Sequence, residues 1–247
     1  MEIPYITPAK LLSTNVLPLN GVKTAFVCFC PMPSVFSKYR LNVEVNTRLF
    51  LHVHNMHIMF GQYGATKFIV ITEVYGGPVG VTIVEELKHY GIDKIIGIGF
   101  VGSFDPAIKT GSIVDAEKSL IEHGTTPHYL SADTKYTFPT LKIELPQLNV
   151  NKVCIWTTNA LYREFKSDII EAKNKQCSVV NMDTSHLYAA CELLNVSCRY
   201  FAVVSDMLDL DGAENWSNDL TDAINHNDSD ISVSMSSLID HIIRQLN

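Results

Sequence analysis

The chain has 247 residues, 47% of them hydrophobic and 18% charged, and a formal net charge of −7 from 19 basic and 26 acidic side chains. That is apolar material for a true core, and the length fits one large α/β domain over 1–247. An acidic balance without a Lys/Arg cluster argues against nucleic acid or an anionic membrane as partner, and no apolar run approaches the roughly 20 residues of a membrane span.

The N-terminal MEIPYITPAKLL lacks a charged segment followed by an apolar one, so no secretory signal is expected. The first predicted strand, Thr24–Cys30, holds the Cys28-x-Cys30 pair. With no second Cys/His pair nearby, and with Cys154, Cys177, Cys191 and Cys198 scattered through strands and helices, the cysteines read as reduced, buried residues of a cytoplasmic protein. Strands follow at Met56–Phe60 and Lys67–Thr72, then a Gly76-Gly77-Pro78 turn and a helix over Pro78–Tyr90, with Pro78 at its first position and Gly91 just past its end. Further strands are predicted at Lys94–Ile98, Ser112–Ala116, Lys152–Trp156, Ser178–Asn181 and Tyr200–Ser205. Helices are predicted over Phe165–Lys175, Thr184–Leu194 and Ile231–Leu246, with an exposed loop over Asn215–Asp230. Strands alternating with helices imply a mostly parallel sheet flanked by helices, with ligands beyond the carboxyl ends of the strands.

Four strand ends carry candidate chemistry. Gly76-Gly77-Pro78 is either a plain turn or a place where backbone and the helix N–H groups approach an anionic ligand. Gly97-Ile98-Gly99-Phe100-Val101-Gly102 matches the dinucleotide fingerprint, but Asp105-Pro106 and Gly111 deny it the helix that fingerprint needs. It stands as a glycine loop for some other small ligand. Asp183 falls where a strand gives way to a helix, as an N-cap or as a carboxylate for a vicinal diol. Asp206 ends an apolar strand, as a loop cap or as a general acid. The His123–Tyr129 cluster and Trp156-Thr157-Thr158-Asn159 are candidate base-pocket linings, and neither histidine has partners at metal-ligand spacing.

YGGPVGVTIVEEL (Tyr75–Leu87), GIGFVGSF (Gly97–Phe104), HGTTPHYL (His123–Leu130), VVNMDTSHLYAA (Val179–Ala190) and VVSD (Val203–Asp206), in that order, resemble the nucleoside phosphorylase superfamily of purine nucleoside and uridine phosphorylases. The resemblance implies a three-layer α/β/α sandwich around a mixed, partly barrel-like sheet, assembled as a dimer or a trimer of dimers. It implies cleavage of a ribonucleoside N-glycosidic bond by phosphate, giving free base and ribose 1-phosphate, with no cofactor beyond the phosphate co-substrate. By the same resemblance Met182 packs on the sugar and Asp183 holds its hydroxyls, where the family has a glutamate. Gly76, Gly77, Gly99, Phe100, Thr157 and Thr158 border the substrate, and Asp206 protonates the departing base. The family's Gly-Asp-Pro loop and its arginine have no counterpart in Cys30–Arg40, Gly97 replaces a second arginine, and Phe100 replaces a hydroxyl residue. Arg48, Gly102 and Ser103 are left as the phosphate-binding candidates, with Arg40 and Arg163 as substitutes. Two other readings stay open: a nucleoside-binding, storage or assembly relative without turnover, and a nucleosidase using water, for which Glu44 is the only internal carboxylate before Glu73 outside the first residues.

Overall fold

A computed structural model describes residues 4–13, 15–131, 133–210 and 229–246. In chain order the regular elements are α1 (Pro8–Leu12), β1 (Thr24–Cys28), β2 (Ile58–Tyr63), β3 (Thr66–Ile71), α2 (Gly77–His89), β4 (Lys94–Ser103) and β5 (Ile113–Leu120). There follow β6 (Tyr136–Thr137), β7 (Val150–Thr157), α3 (Lys166–Asn174), β8 (Val179–Asn181), α4 (Thr184–Leu193), β9 (Ser197–Met207) and α5 (Asp230–Arg244).

The strands form one mixed sheet in the order β2-β3-β1-β4-β8-β7-β5-β6, with β9 pairing both β4 and β5. That double pairing closes a ring through β4, β9, β5, β7 and β8, while β1, β3 and β2 extend it as an open wing. In the wing β3, β1 and β4 are parallel, as strands linked by a crossover helix must be. All five residues of β1 are buried, because helices cover both faces of the sheet there. On one face α2 and α4 bury Ile83, Val84, Leu87, Leu187 and Cys191 against Ile95, Ala202 and Val204. On the other, α5 lays Ile231, Met235, Leu238, Ile239, Ile242 and Ile243 against Phe26, Ile96, Ile98 and Val203. Those six positions recur at helical spacing, so one apolar stripe holds the helix, and each buried side chain contributes about 1.5–3 kcal/mol. Ser229 accepts the Ser232 N–H and starts α5.

Several boundaries differ from the sequence expectation. β2 starts at Ile58, because residues 55–57 form a single 3₁₀ turn stabilised by the His54 ring accepting the Met56 N–H. The run Gly97–Gly102 is strand: β4 continues to Ser103, paired throughout with β9. Rejection of the dinucleotide reading holds, as no helix follows β4. β5, β7 and β9 are longer than expected, since each is stabilised by ring closure, and α1 and β6 were not anticipated. Residues 215–228 of the expected loop lie outside the described residues. All six cysteines are free and buried, and among the described residues no three His, Cys, Asp or Glu side chains cluster to hold a metal. Among the described residues no helix is long and apolar enough to cross a membrane.

Candidate functional site

The parallel wing ends level with Ile98 of β4, where β1 stops at Cys28. β8 runs antiparallel to β4, pairing Ser103 with Val179 and Gly102 with Val180, so its carboxyl end returns toward the same level. Two loops therefore meet there: Gly76–Gly77 after β3, and Met182–Asp183 after β8.

Asp183 occupies the N-cap position of α4, yet its side chain does not cap that helix. Asn181 does so instead, its Oδ1 accepting the Asp183 and Thr184 N–H groups at 3.3 and 3.4 Å. The Asp183 carboxyl turns away, accepting the Tyr200 hydroxyl at 3.2 Å and the Gly76 N–H. It is 6% exposed, and burial pushes its pKa from 3.8 up to about 8, against the lowering effect of those two donors. Gly76 reaches it with φ +75°, a left-handed conformation that glycine adopts without a Cβ penalty. Gly77 is fixed by packing: a Cβ there would meet Thr125 Oγ1 at 2.7 Å and the His186 ring at 2.9 Å.

The glycines of β4 face protein. A Cβ on Gly97 would meet the Tyr200 ring at 2.5 Å and Leu187 at 2.6 Å, and one on Gly99 would collide with the Tyr200 hydroxyl. The spacing Gly-x-Gly thus makes a flat strip on one face of a strand, over which a fully buried tyrosine lies. Phe100 faces the other way and packs with the α5 cluster.

Beneath Gly77 lies a buried polar knot around Glu122 and His186, two residues that the sequence reading passed over. Glu122 accepts N–H groups from Gly124, Thr125 (2.7 Å) and Thr126 (2.5 Å), the Asn159 amide at 2.5 Å, and pairs with His186 Nδ1 at 3.0 Å. Burial raises its pKa, but the His186 ring and the backbone donors outweigh that and bring it down to about 2. Thr126 joins the knot through Ser185 at 2.9 Å and His186 at 3.1 Å. The only legible signal was an acid directly before His123-Gly124-Thr125 at a strand end and a histidine on the otherwise apolar Thr184 helix. Thr157 is buried and bonded to Ser119 at 2.8 Å and to the Ser185 N–H at 3.0 Å, while Thr158 is half-buried and donates its N–H to the Asn181 carbonyl. Met182 is half-buried beside Asp183. His123 and His128 are exposed.

Asp206 is carried differently. It lies inside β9, where Ser205 is an extra residue: Val101 pairs with Val204 and Gly102 with Asp206. Such a bulge re-aims the side chain that follows it. The Asp206 carboxyl accepts Ser205 Oγ at 2.6 Å and sits against Gly102, whose Cβ position is 3.0 Å from Oδ2. Gly99, under Tyr200, and Gly102, under Asp206, are three residues apart, about 10 Å along a strand and on opposite faces of it. Asp183 follows β8 and Asp206 lies in β9, two strands that both pair with β4. Beside Asp206 stands a third acid, Glu164, whose pKa is pushed up to about 7 by burial and then by the Asp206 charge.

The expected anion ligands are dispersed. Arg48 donates to the Phe50 and Leu51 carbonyls and its charge acts on Glu86, near the far end of α2 from Gly76. Ser103 is buried and bonded within its own turn to Asp105. Arg199 is paired with Asp115 and Arg244 with Asp240, while the Arg40 backbone forms an isolated bridge to Gly61 of β2.

Comparison with known proteins gives a consistent picture. The family model described as the phosphorylase superfamily matches residues 25–243. The chain is similar to a DeoD-type purine nucleoside phosphorylase of Mycoplasma genitalium, 27% identical over 172 residues that span 65% of this chain and 72% of that protein. A uridine phosphorylase of Thermococcus kodakarensis is 29% identical over 73 residues, 30% of this chain and 26% of that protein. Among solved structures, the uridine phosphorylase of Vibrio fischeri in complex with 6-hydroxy-1-naphthoic acid superposes with a TM-score of 0.69 at 17% identity, covering 92% of this chain and 93% of that one. The purine nucleoside phosphorylase of Toxoplasma gondii in complex with immucillin-H gives 0.67 at 15% identity, covering 91% of each.

Proposed function

The chain belongs to the phosphorylase superfamily, and from that membership we propose that it acts on ribonucleosides, cleaving the N-glycosidic bond with phosphate as the attacking group. The observation that carries this reading is the meeting of Asp183, Met182 and the Gly76–Gly77 turn at one strand-end level. A carboxyl beside a half-buried thioether suits a pentose, which offers two adjacent hydroxyl donors and an apolar face. Asp206, with Glu164 near it, is the proton source on this reading: the transition state develops negative charge on the base, and one positioned acid is worth about 10²–10⁴-fold. The products are the free base and ribose 1-phosphate, and the protein works as a homo-oligomer in the cytoplasm.

One observation favours a second reading. Tyr200 covers the Gly97–Gly99 strip and already bonds Asp183, and the side chain of Arg48, an expected phosphate ligand, is bonded to the Phe50 and Leu51 carbonyls. That suits a relative that binds nucleosides without splitting them. One experiment separates the two. A panel of purine and pyrimidine ribonucleosides is incubated with the protein with and without phosphate, and base release is followed by chromatography alongside thermal-shift binding. Phosphate-dependent release supports cleavage, and binding without release supports the second reading. Equal release with and without phosphate points to water as the attacking group, and neither binding nor release removes the nucleoside assignment.

A further inference from the structure

A second cleft, of about 580 Å³, is lined by Lys118, Phe138, Lys152, Cys154, Gln176 and Arg199, and shares none of the side chains discussed around Asp183 or Asp206. Cys154, which lines the cleft, is in contact with Cys177 behind it. The Cys154 and Cys177 sulfurs are 3.1 Å apart, while a disulfide bond is about 2.05 Å long, so closure needs a movement of about 1 Å. The backbone holds both residues in place. Cys154 is on β7, and its carbonyl accepts the Ser178 N–H at 3.1 Å; the Cys177 N–H is bonded to the Ala172 carbonyl at 3.0 Å.

The two thiols differ in character. Cys154 is drawn down by the hydrogen bond from Cys177, then, against burial, by the Lys118 charge and the Leu120 N–H. Cys177 is pushed up by that same bond and by burial. One sulfur is thus prepared to attack and its neighbour to resolve. The remaining cysteines offer a contrast within the same chain. Cys28, Cys30, Cys191 and Cys198 are at most 1% exposed, against 6% for Cys154, and none of them lines this cleft.

We propose that Cys154 and Cys177 form a reversible dithiol–disulfide pair, oxidised through this cleft by a low-molecular-weight disulfide of the glutathione type. The Cys154 thiolate attacks one sulfur of the incoming disulfide, forming a mixed disulfide and expelling one small thiolate, which takes up the proton Cys154 released. Cys177 then loses its proton and attacks the Cys154 sulfur, forming the internal bond and expelling the second small thiolate, which is protonated in turn. Two protein thiols are oxidised and one small disulfide is reduced to two thiols. The bond joins β7 to the start of β8, the two strands whose carboxyl ends lead to Thr157 and Asp183.

The test uses the full chain, reduced and folded, exposed to oxidised glutathione, quenched in acid, denatured, alkylated and digested without reductant. Mass spectrometry is expected to find the Cys154 and Cys177 peptides joined with the loss of two hydrogens, reversibly with dithiothreitol, and the other four cysteines alkylated. In Cys177→Ser the reaction is expected to stop at one glutathionyl group on Cys154, and Cys154→Ser is expected to take up none. Free, alkylated Cys154 in the treated wild type overturns the proposal. So does a mixed disulfide that persists in the wild type without the cross-link, or modification spread evenly over the six cysteines.

Discussion

Asp183→Asn isolates the carboxyl on which the nucleoside reading rests. Asparagine keeps the shape and an oxygen to accept the Tyr200 hydroxyl and the Gly76 N–H, but it does not titrate. In the folded wild type the Asp183 pKa is raised from 3.8 to about 8, with burial as the leading cause. Between those values the folded chain keeps a proton that the unfolded chain has released. The stability this group contributes is therefore complete below pH ~4 and is lost as pH rises toward about 8. The slope for one proton is about 1.4 kcal/mol per pH unit, so from pH 5 to pH 7 the wild type is expected to lose about 2.7 kcal/mol relative to the variant. Urea unfolding of both proteins at pH 5, 6, 7 and 8 measures the difference directly. A stability gap between wild type and variant that stays constant with pH refutes the reasoning, because it means that Asp183 ionises as freely in the fold as in the unfolded chain.

Three other perturbations probe the surroundings of that carboxyl. Tyr200→Phe removes the donor that lowers the Asp183 pKa, so the midpoint of the same stability profile should move above pH 8, at a cost of about 1–3 kcal/mol for the acceptor left behind; an unchanged midpoint means the 3.2 Å contact carries nothing. Gly77→Ala forces a Cβ to 2.7 Å from Thr125 and 2.9 Å from His186, and the denaturation midpoint should fall by an amount equivalent to about 1–3 kcal/mol of overpacking. Glu122 has a folded pKa of about 2 against 4.5, so its contribution is present above pH 4.5 and disappears as pH falls toward 2. Glu122→Gln should therefore destabilise at pH 7 and become nearly neutral at pH 2, and a penalty that persists in acid assigns the effect to packing instead.

The alternation of strands and helices was legible in the sequence because each strand is a short Val/Ile/Phe run and each long helix carries an apolar stripe. The closure of the ring was not legible. It depends on β9 pairing with two partners, a long-range event that leaves no local signature, and it turned the Gly97–Gly102 segment from loop into strand. Asp183 and Gly76 were legible as candidates because each lies between a predicted strand and a predicted helix. Tyr200 was missed for the opposite reason. In sequence it is one more aromatic residue in an apolar strand, and only the pairing of Tyr200 with Gly97 shows what the glycines accommodate. Glu122 and His186 escaped because their pairing spans elements 64 positions apart, and nothing local to either residue points to the other. Asp206 ends an apolar run in the sequence, but in the fold it lies within β9 after the inserted Ser205, and a bulge cannot be counted from one strand alone.

The Gly76–Gly77 turn has two physical uses, one toward the chain's own carboxyl and one toward a ligand. A helix N-terminus preceded by glycines is a site for negative charge, and the sequence suggests an external anion for it. In the fold that position is already served by a carboxyl of the chain itself, since the Gly76 N–H donates to Asp183. Burial keeps this carboxyl largely protonated at neutral pH, which reduces the charge that α2 must face. A pentose diol would donate two hydrogen bonds to Asp183 and so favour its ionised form over the protonated one. Ribonucleoside affinity should accordingly rise as pH is taken from 6 to about 8 and level off above, while a 2′-deoxyribonucleoside, with one donor fewer, should show the weaker dependence. Calorimetric titration across that range settles the matter, for equal slopes for the two sugars would mean that Asp183 holds the turn and not the ligand.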